Sequence, residues 1–337
     1  MAVYTRLGAE EMARIIAAFD VGTLVSAKGI AEGVSNSNWL IETRCTDRSQ
    51  RFILTMYETR LDVADLPFFL ELLDHLAAPD CPVPRTIHDG DGATYRLHNG
   101  KALALIEFLP GVSVSEPTVD QARAVGAALA QVHLASRTFP GRRDNGMGRE
   151  AWGQLLDACG VDGLAAIDPT LSELVARELP LVCAQWPEHL PRSVIHADLF
   201  PDNVLMLDDR VTGLIDFYFA CFDVTAYDVA VTHAAWCFTS DGRQFLPDLS
   251  AALLQGYESL RPLSSDERAA LPLLARAASL RFLATRAYDW TNTPADALVT
   301  PKDPMAFARR LAFYAEPCNA DIFRAESAKA KQAAGNA

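Results

Sequence analysis

Residues 51–57 alternate along the chain: Phe52, Leu54 and Met56 fall on one side, Ile53, Thr55 and Tyr57 on the other. That is strand period, and it predicts an extended element there. Two shorter extended stretches, 24–30 and 38–43, precede it and are joined by the turn-rich 31–37. After Pro67 the pattern changes. Apolar residues at 69, 70, 73, 76 and 77 have helical spacing, and Pro67 suits a first turn. Short strands are expected near 94–97 and 103–108, after which Leu109-Pro110-Gly111 breaks the pattern. Helical spacing then recurs over 118–136, 169–183, 227–238, 244–260, 266–290 and 304–315, while strand-like runs at 204–207 and 211–215 flank the turn Asp208-Asp209-Arg210. An amphipathic helix is also expected within 1–20. The expected class is α+β: an N-terminal antiparallel sheet with one helix over 1–108, a mainly helical lobe over 109–324, and a small, polar tail over 325–337 expected to be poorly ordered.

The 337 residues suffice for two such lobes, and 50% hydrophobic with 22% charged residues is the balance of a globular chain. Net charge is −13, which argues against nucleic acid or an anionic membrane as partner, because both need a basic footprint. The seven cysteines are widely spaced with no Cys-x-x-Cys pair, so they read as reduced thiols of a cytoplasmic protein. The first 20 residues lack a signal-peptide pattern, and no apolar run approaches the ~18–20 residues of a membrane span.

One segment concentrates chemistry. His196-Ala197-Asp198-Leu199-Phe200-Pro201-Asp202-Asn203 has the form His-x-Asp-x-x-x-x-Asn, and Asp216 follows at the end of an apolar run. An Asp in a loop, an Asn five residues on, and an Asp after a short hairpin form the phosphotransfer set of kinases. Asp198 would accept or orient the proton of an attacking hydroxyl, and Asn203 with Asp216 would hold Mg²⁺ on nucleotide phosphates. Simple turn capping is the competing explanation for Asp198, Asp202 and Asn203, but it leaves Asp216 unaccounted for. His196 has no second His or Cys at metal-ligand spacing and is expected to brace the loop.

Gly29 to Asn38, rich in Gly, Ser and Asn and including Gly33, could fold over phosphates. An ordinary hairpin would look the same. Neither a P-loop nor a dinucleotide fingerprint is present. A kinase-like fold also calls for a Lys on the third strand, where this chain has Thr55. Its usual acidic partner could be Glu71, which then lacks a cation. Lys28, beside the loop, is the candidate substitute, with a solvated surface Lys as the bland reading.

These residues resemble the homoserine kinases of the aminoglycoside phosphotransferase-like, protein-kinase-like superfamily, not the unrelated GHMP class. The resemblance runs from about Tyr4 to about Phe323. Its superfamily part is Val194 to Asn203 and Gly213-Leu214-Ile215-Asp216-Phe217. The narrower part includes Lys28 to Gly33, Phe52 to Glu58, Leu66 to Leu70, Asp216 to Cys221, Arg281-Phe282, Arg286 to Asp289 and Pro301-Lys302-Asp303-Pro304. Thr in place of the third-strand Lys is similar to a habit of that family. The resemblance implies a bilobal fold, ATP and Mg²⁺, and L-homoserine as acceptor. It further implies that Asp228 braces the catalytic loop, and that adenine packs on Ile53 with its polar edge toward the backbone near Glu107–Leu109. Arg281, Arg286, Tyr288 and Asp289 are candidates for gripping the substrate, with structural salt bridges as the competing reading. Kinases of aminoglycosides, choline or sugars, and a catalytically silent nucleotide-binding module, are the alternatives. A protein kinase is disfavoured by Ala197 within the His-x-Asp and by the lack of an Ala-Pro-Glu element after Asp216.

Overall fold

A computed structural model describes residues 5, 7–30, 36–46, 48–58, 62–294 and 300–324. Gly33 and the 325–337 tail lie outside the described residues. The first helix, α1 (Ala9–Ala17), precedes three long antiparallel strands, β1 (Thr23–Ile30), β2 (Asn36–Cys45) and β3 (Arg48–Tyr57). Helix α2 (Leu66–Ala77) follows, then β4 (Thr86–Ile87), β5 (Arg96–His98) and β6 (Lys101–Glu107). The sheet order is β1-β2-β3-β6-β4, with β5 paired to β6. Alternation on β3 does what the sequence predicts. Phe52, Leu54 and Met56 pack with Met12, Ile15 and Ile16 of α1. Tyr57 on the opposite face joins Leu66, Phe69 and Leu70 of α2 in a core that continues into the helical part of the chain.

The remaining helices are α3 (Val119–Ala135), α4 (Arg149–Ile167), α5 (Leu171–Ala184), α6 (Thr225–Trp236), α7 (Pro247–Leu260), α8 (Ser265–Asn292) and α9 (Met305–Ala315). Helices α3 and α8 each open on a capping box, Thr118 with Gln121 and Ser264 with Glu267. The α4 helix has no counterpart in the sequence reading. It contains Gly153, Gly160 and Gly163, and Gly160 has φ 67°, so its helical periodicity is interrupted. Also absent from that reading are β4 and two four-residue strands, β7 (Arg192–Ile195) and β10 (Cys221–Val224), which are too short to show a period. The anticipated hairpin is β8 (Val204–Leu207) with β9 (Arg210–Leu214).

Nesting of these pairs places the site. β7 pairs β10 and, between them in sequence, β8 pairs β9. The loops 196–203 and 215–220 therefore emerge side by side. All twelve residues of α6 are buried, so this helix can deliver a side chain directly beneath the loops. The chain enters this region along 107–112, docked on the hairpin by Val112 and Met206, which exchange backbone hydrogen bonds of 3.0 and 2.9 Å. Gly213 lets Leu109 approach: a Cβ there would lie 2.8 Å from the Leu109 side chain. No described helix is long and apolar enough to cross a membrane.

His233 of α6 is completely buried, 2.6 Å from the Tyr314 hydroxyl and 2.7 Å from Ser250 Oγ. Burial holds its pKa down at about 3, against an ordinary 6.5. Between those values the unfolded chain binds the proton and the folded chain does not, so stability falls as pH drops through that window. The melting temperature is expected to decline from pH 7 toward pH 4, and His233→Gln should flatten the decline. An unchanged pH slope in the variant would assign the acid sensitivity elsewhere.

Candidate active site

The loop after β7 turns sharply at Ala197, which sits in the left-handed region at φ 63°. A non-glycine residue there costs about 1–2 kcal/mol and needs holding. Asp228, fully buried on α6, holds it. Its Oδ1 accepts from the Ala197 N–H at 2.7 Å, and its Oδ2 accepts from the His196 N–H at 2.7 Å and from His133 Nε2 at 3.0 Å. Burial acts to raise the Asp228 pKa, but the His133 hydrogen bond and the surrounding donors outweigh it and the carboxyl is held below its ordinary value. On the other side of the same residue, the buried Arg281 guanidinium of α8 donates to the Ala197 carbonyl.

His196 Nε2–H donates to the Ile215 carbonyl at 3.0 Å, while Nδ1 accepts from the Asp198 N–H at 3.2 Å. One nitrogen donates and the other accepts, so the ring is neutral, and burial lowers its pKa accordingly. His196 thus ties the catalytic loop to the segment leading to Asp216. Ile215 N–H closes the same junction on the Asn203 carbonyl at 3.0 Å.

Asp198 projects from this braced turn with its side chain 17% exposed. Asn203 Nδ2 donates to the Asp198 carbonyl at 2.8 Å and to its Oδ2 at 3.2 Å. That orientation commits the amide nitrogen and leaves Oδ1 for another ligand. Burial pushes the Asp198 carboxyl up to about 7, partly opposed by Arg281, whose guanidinium lies 3.8 Å away. Asp216 is in the left-handed region at φ 66°. Although its side chain reaches the surface, the protein packed around it desolvates the carboxyl and pushes it up to about 6, with help from Asp202. Both carboxyls would regain charge beside a divalent cation. One carboxylate and one amide oxygen are hard donors, and too few to hold an ion without waters and phosphates, which is the donor set a nucleotide-borne Mg²⁺ fits. Among the described residues no cluster of three or more His, Cys, Asp or Glu forms a self-sufficient metal site.

The third-strand position is filled by hydroxyls. Thr55 Oγ1 donates to Asn38 Oδ1 on β2 at 2.9 Å. Two residues along the same face, the Tyr57 hydroxyl meets the Tyr218 hydroxyl at 2.9 Å. Tyr218 lies just past Asp216, so this contact links the sheet to the Asp216 segment, a role sequence reasoning gave to no residue. Glu71 is exposed on α2, and Lys28 is exposed on the edge strand β1 with no partner among the described residues. Gly29 is exposed next to it, and the loop beyond, 31–35, lies outside the described residues. Ile53 lies on the cleft side of β3, half-buried, and Glu107 and Leu109 form the strand-to-lobe connection.

The four substrate-gripping candidates separate. Arg281 is 2% exposed and engaged with the loop. Arg286 faces the site: its NH1 donates to the Asp303 carbonyl at 3.2 Å, and Asp303, Asp202 and Asp198 act on it. Burial nonetheless brings its pKa down to about 10. Tyr288 and Asp289 are exposed one turn further on, and no hydrogen bond or ion pair joins their side chains to the catalytic loop. Helical spacing put all four on adjacent faces but could not show where along α8 the loop crosses.

A braced Asp, an Asn that shares its hydrogen bonds and a second Asp at the base of a two-part α+β cleft define a phosphotransferase of kinase-like fold. The chain belongs to the phosphotransferase enzyme family, whose model matches residues 26–263. It is 48% identical over 314 residues to a homoserine kinase of Azorhizobium caulinodans, covering 93% of this chain and 96% of that one. A homoserine kinase of Phenylobacterium zucineum is 46% identical over 329 residues, covering 98% and 100%. Among solved structures, a microcompartment-associated aminopropanol kinase superposes with TM-score 0.70 at 20% identity, covering 94% of this chain and 99% of that one. An amicoumacin kinase in complex with AMP-PNP and Ca²⁺ superposes with TM-score 0.67 at 14% identity, covering 94% and 93%. The structural likeness establishes the fold; the near-full-length sequence similarity makes the chain a kinase.

Arg281→Met should lower kcat by about 10–150-fold, the worth of one charged hydrogen bond, while KM for ATP stays within about threefold. Steady-state kinetics with a melting curve on the same preparation checks this. Equal loss in KM for ATP would place Arg281 in nucleotide binding instead.

Proposed function

We propose that this chain transfers the γ-phosphoryl group of ATP to the hydroxyl of L-homoserine, giving O-phospho-L-homoserine and ADP. Near-full-length similarity to homoserine kinases carries the acceptor, and the Asp198–Asn203–Asp216 arrangement supports the chemistry. The acceptor oxygen attacks the γ-phosphorus as the bond to the β–γ bridging oxygen breaks, and the hydroxyl proton passes to Asp198. Asn203 Oδ1 and Asp216 would hold Mg²⁺, which when bound neutralises charge on the nucleotide phosphates. Adenine would pack on Ile53 and meet the backbone near Glu107–Leu109, with Lys28, Gly29 and Gly33 toward the phosphates. His196 and Asp228 keep the loop in register. The site is set in the cytoplasm, where ATP and free amino acid are supplied, and its partners are small molecules rather than nucleic acid or membrane.

The cations near Asp198 bear on the alternatives. Arg281 and Lys302 both act to lower the Asp198 pKa, and Arg286 faces the same carboxylate. A purely cationic acceptor, as in an aminoglycoside or choline kinase, would be met by Asp202 and Asp216 but leave these cations unanswered; an amino acid brings a carboxylate to them as well as an ammonium to the acids.

ADP release should be fast with homoserine and Mg·ATP, slow with ATP alone, and slow with choline or kanamycin. Release stimulated by kanamycin but not homoserine would reject the acceptor. Asp198→Ala should lower kcat by a factor on the order of 10²–10⁴ with ATP binding retained. Asp216→Ala should impair Mg²⁺ dependence more than Asn203→Ala, because a carboxylate neutralises the ion and an amide does not. An Mg²⁺ titration unchanged in both variants would remove them from the metal role.

A further inference from the structure

Two exposed, oppositely charged side chains at the mouth of the site pair with each other. Lys302 Nζ lies 3.3 Å from Asp202 Oδ2, and their side chains are 65% and 62% exposed. We propose that this ion pair is the receptor for the two charged ends of the amino-acid acceptor: it opens as the substrate enters, Lys302 taking the α-carboxylate and Asp202 the α-ammonium. The inference rests on the reading that the acceptor is homoserine.

Placement comes first. Asp202 stands four residues after Asp198 on the short turn Pro201–Asn203, with only Leu199, Phe200 and Pro201 between them. Lys302 arrives from the segment between α8 and α9, its ammonium 5.8 Å from the centre of the Phe200 ring. That segment is fastened on both sides of the lysine's neighbour. Arg286 NH1 donates to the Asp303 carbonyl at 3.2 Å, and Asp303 Oδ1 accepts from the Met305 N–H at 2.8 Å. Arg286 itself stacks over Phe307 at 4.5 Å. The lysine therefore presents an exposed ammonium next to the catalytic loop, one residue before the backbone held at Asp303. Asp202 and Lys302 both lie near enough to Asp198 to act on its charge, in opposite senses. A small molecule whose hydroxyl meets Asp198 would carry its charged end toward this pair.

Energetics favour exchange. An exposed ion pair is worth little, so separating it costs little, whereas the bonds re-formed to a bound substrate gain from the water the substrate displaces. A zwitterion replaces one pair with two and leaves the net charge of the site unchanged. The other candidates are committed elsewhere: Arg281 is buried against the Ala197 carbonyl, and Tyr288 and Asp289 face solvent beyond the crossing point.

The test compares homoserine with its two half-analogues, 3-amino-1-propanol, which lacks the carboxylate, and 4-hydroxybutyrate, which lacks the ammonium, each measured as a competitive inhibitor. Lys302→Ala should raise KM for homoserine by about 10–150-fold, weaken 4-hydroxybutyrate, and leave inhibition by 3-amino-1-propanol within about twofold. Asp202→Ala should also raise the homoserine KM, weaken 3-amino-1-propanol, and spare 4-hydroxybutyrate. Lys302→Arg should recover most of the homoserine affinity, and melting temperatures should match wild type because both side chains are exposed. If Lys302→Ala weakens both analogues equally, or lowers kcat with KM unchanged, the lysine acts on the phosphoryl group or the loop and the proposal is overturned. A wild type that turns over homoserine, with Lys302→Ala unchanged, overturns this proposal alone. A wild type that does not turn over homoserine overturns the acceptor reading and this proposal with it.

Discussion

Asp228 buries its carboxylate beneath the catalytic turn and accepts hydrogen bonds there from two backbone N–H groups and an imidazole. Everything at the site hangs from that anchor. The Ala197 conformation it enforces is unfavourable by about 1–2 kcal/mol, whereas hydrogen bonds to a charged acceptor contribute roughly 1.5–3 kcal/mol each. The balance favours the strained turn only while the carboxylate is ionised and fully surrounded by donors. His133 is in turn 2.8 Å from the Tyr257 hydroxyl of α7, so the anchor reaches across three helices before it meets solvent-facing structure. Arg281 grips the same residue from the carbonyl side. With Ala197 held at both ends of its backbone, Asp198 has a defined direction, and His196 and Asn203 relay that direction to the Asp216 segment.

Much of this was legible in the sequence where a single element carries the signal. Alternation in 51–57 identifies β3 because both faces are covered, by α1 and α2. The spacing in 266–290 finds α8, and the His-x-Asp-x-x-x-x-Asn run with Asp216 identifies the loops. Where the signal is tertiary it fails. The α4 helix was hidden by its glycines. Arg281 looked like a substrate ligand because helical spacing says which face a residue occupies, not what crosses that face. The Tyr57–Tyr218 contact joins residues 161 apart in the chain, and no local pattern announces it. Thr55 was conspicuous only as an absence, and its bond to Asn38 became visible once the register of β2 on β3 was known.

The distribution of charge follows from that absence. A third-strand Lys would bring a cation from the sheet side of the cleft. Here hydroxyls occupy that side, and the cations close to Asp198 come from the helical side, on α8 and the segment after it. Asp198, Asp202 and Asp216 would repel one another and any phosphate if left alone. Arg281 offsets part of this from within the fold and Lys302 from its rim, while a metal between Asn203 and Asp216 would complete the compensation. The division suits an acceptor that carries both signs of charge.

Asp228→Asn gives the most direct test of the anchor, because it keeps the shape of the side chain and removes its charge and one acceptor. The measurement is kcat with homoserine alongside amide hydrogen exchange at His196 and Ala197. If Asp228 is the anchor, kcat falls by at least about tenfold, the lower end of what a lost charged hydrogen bond is worth, together with faster exchange at those two amides. A variant within threefold of wild-type kcat, with both amides still protected, would mean that the turn holds itself and that Asp228 is not what aims Asp198.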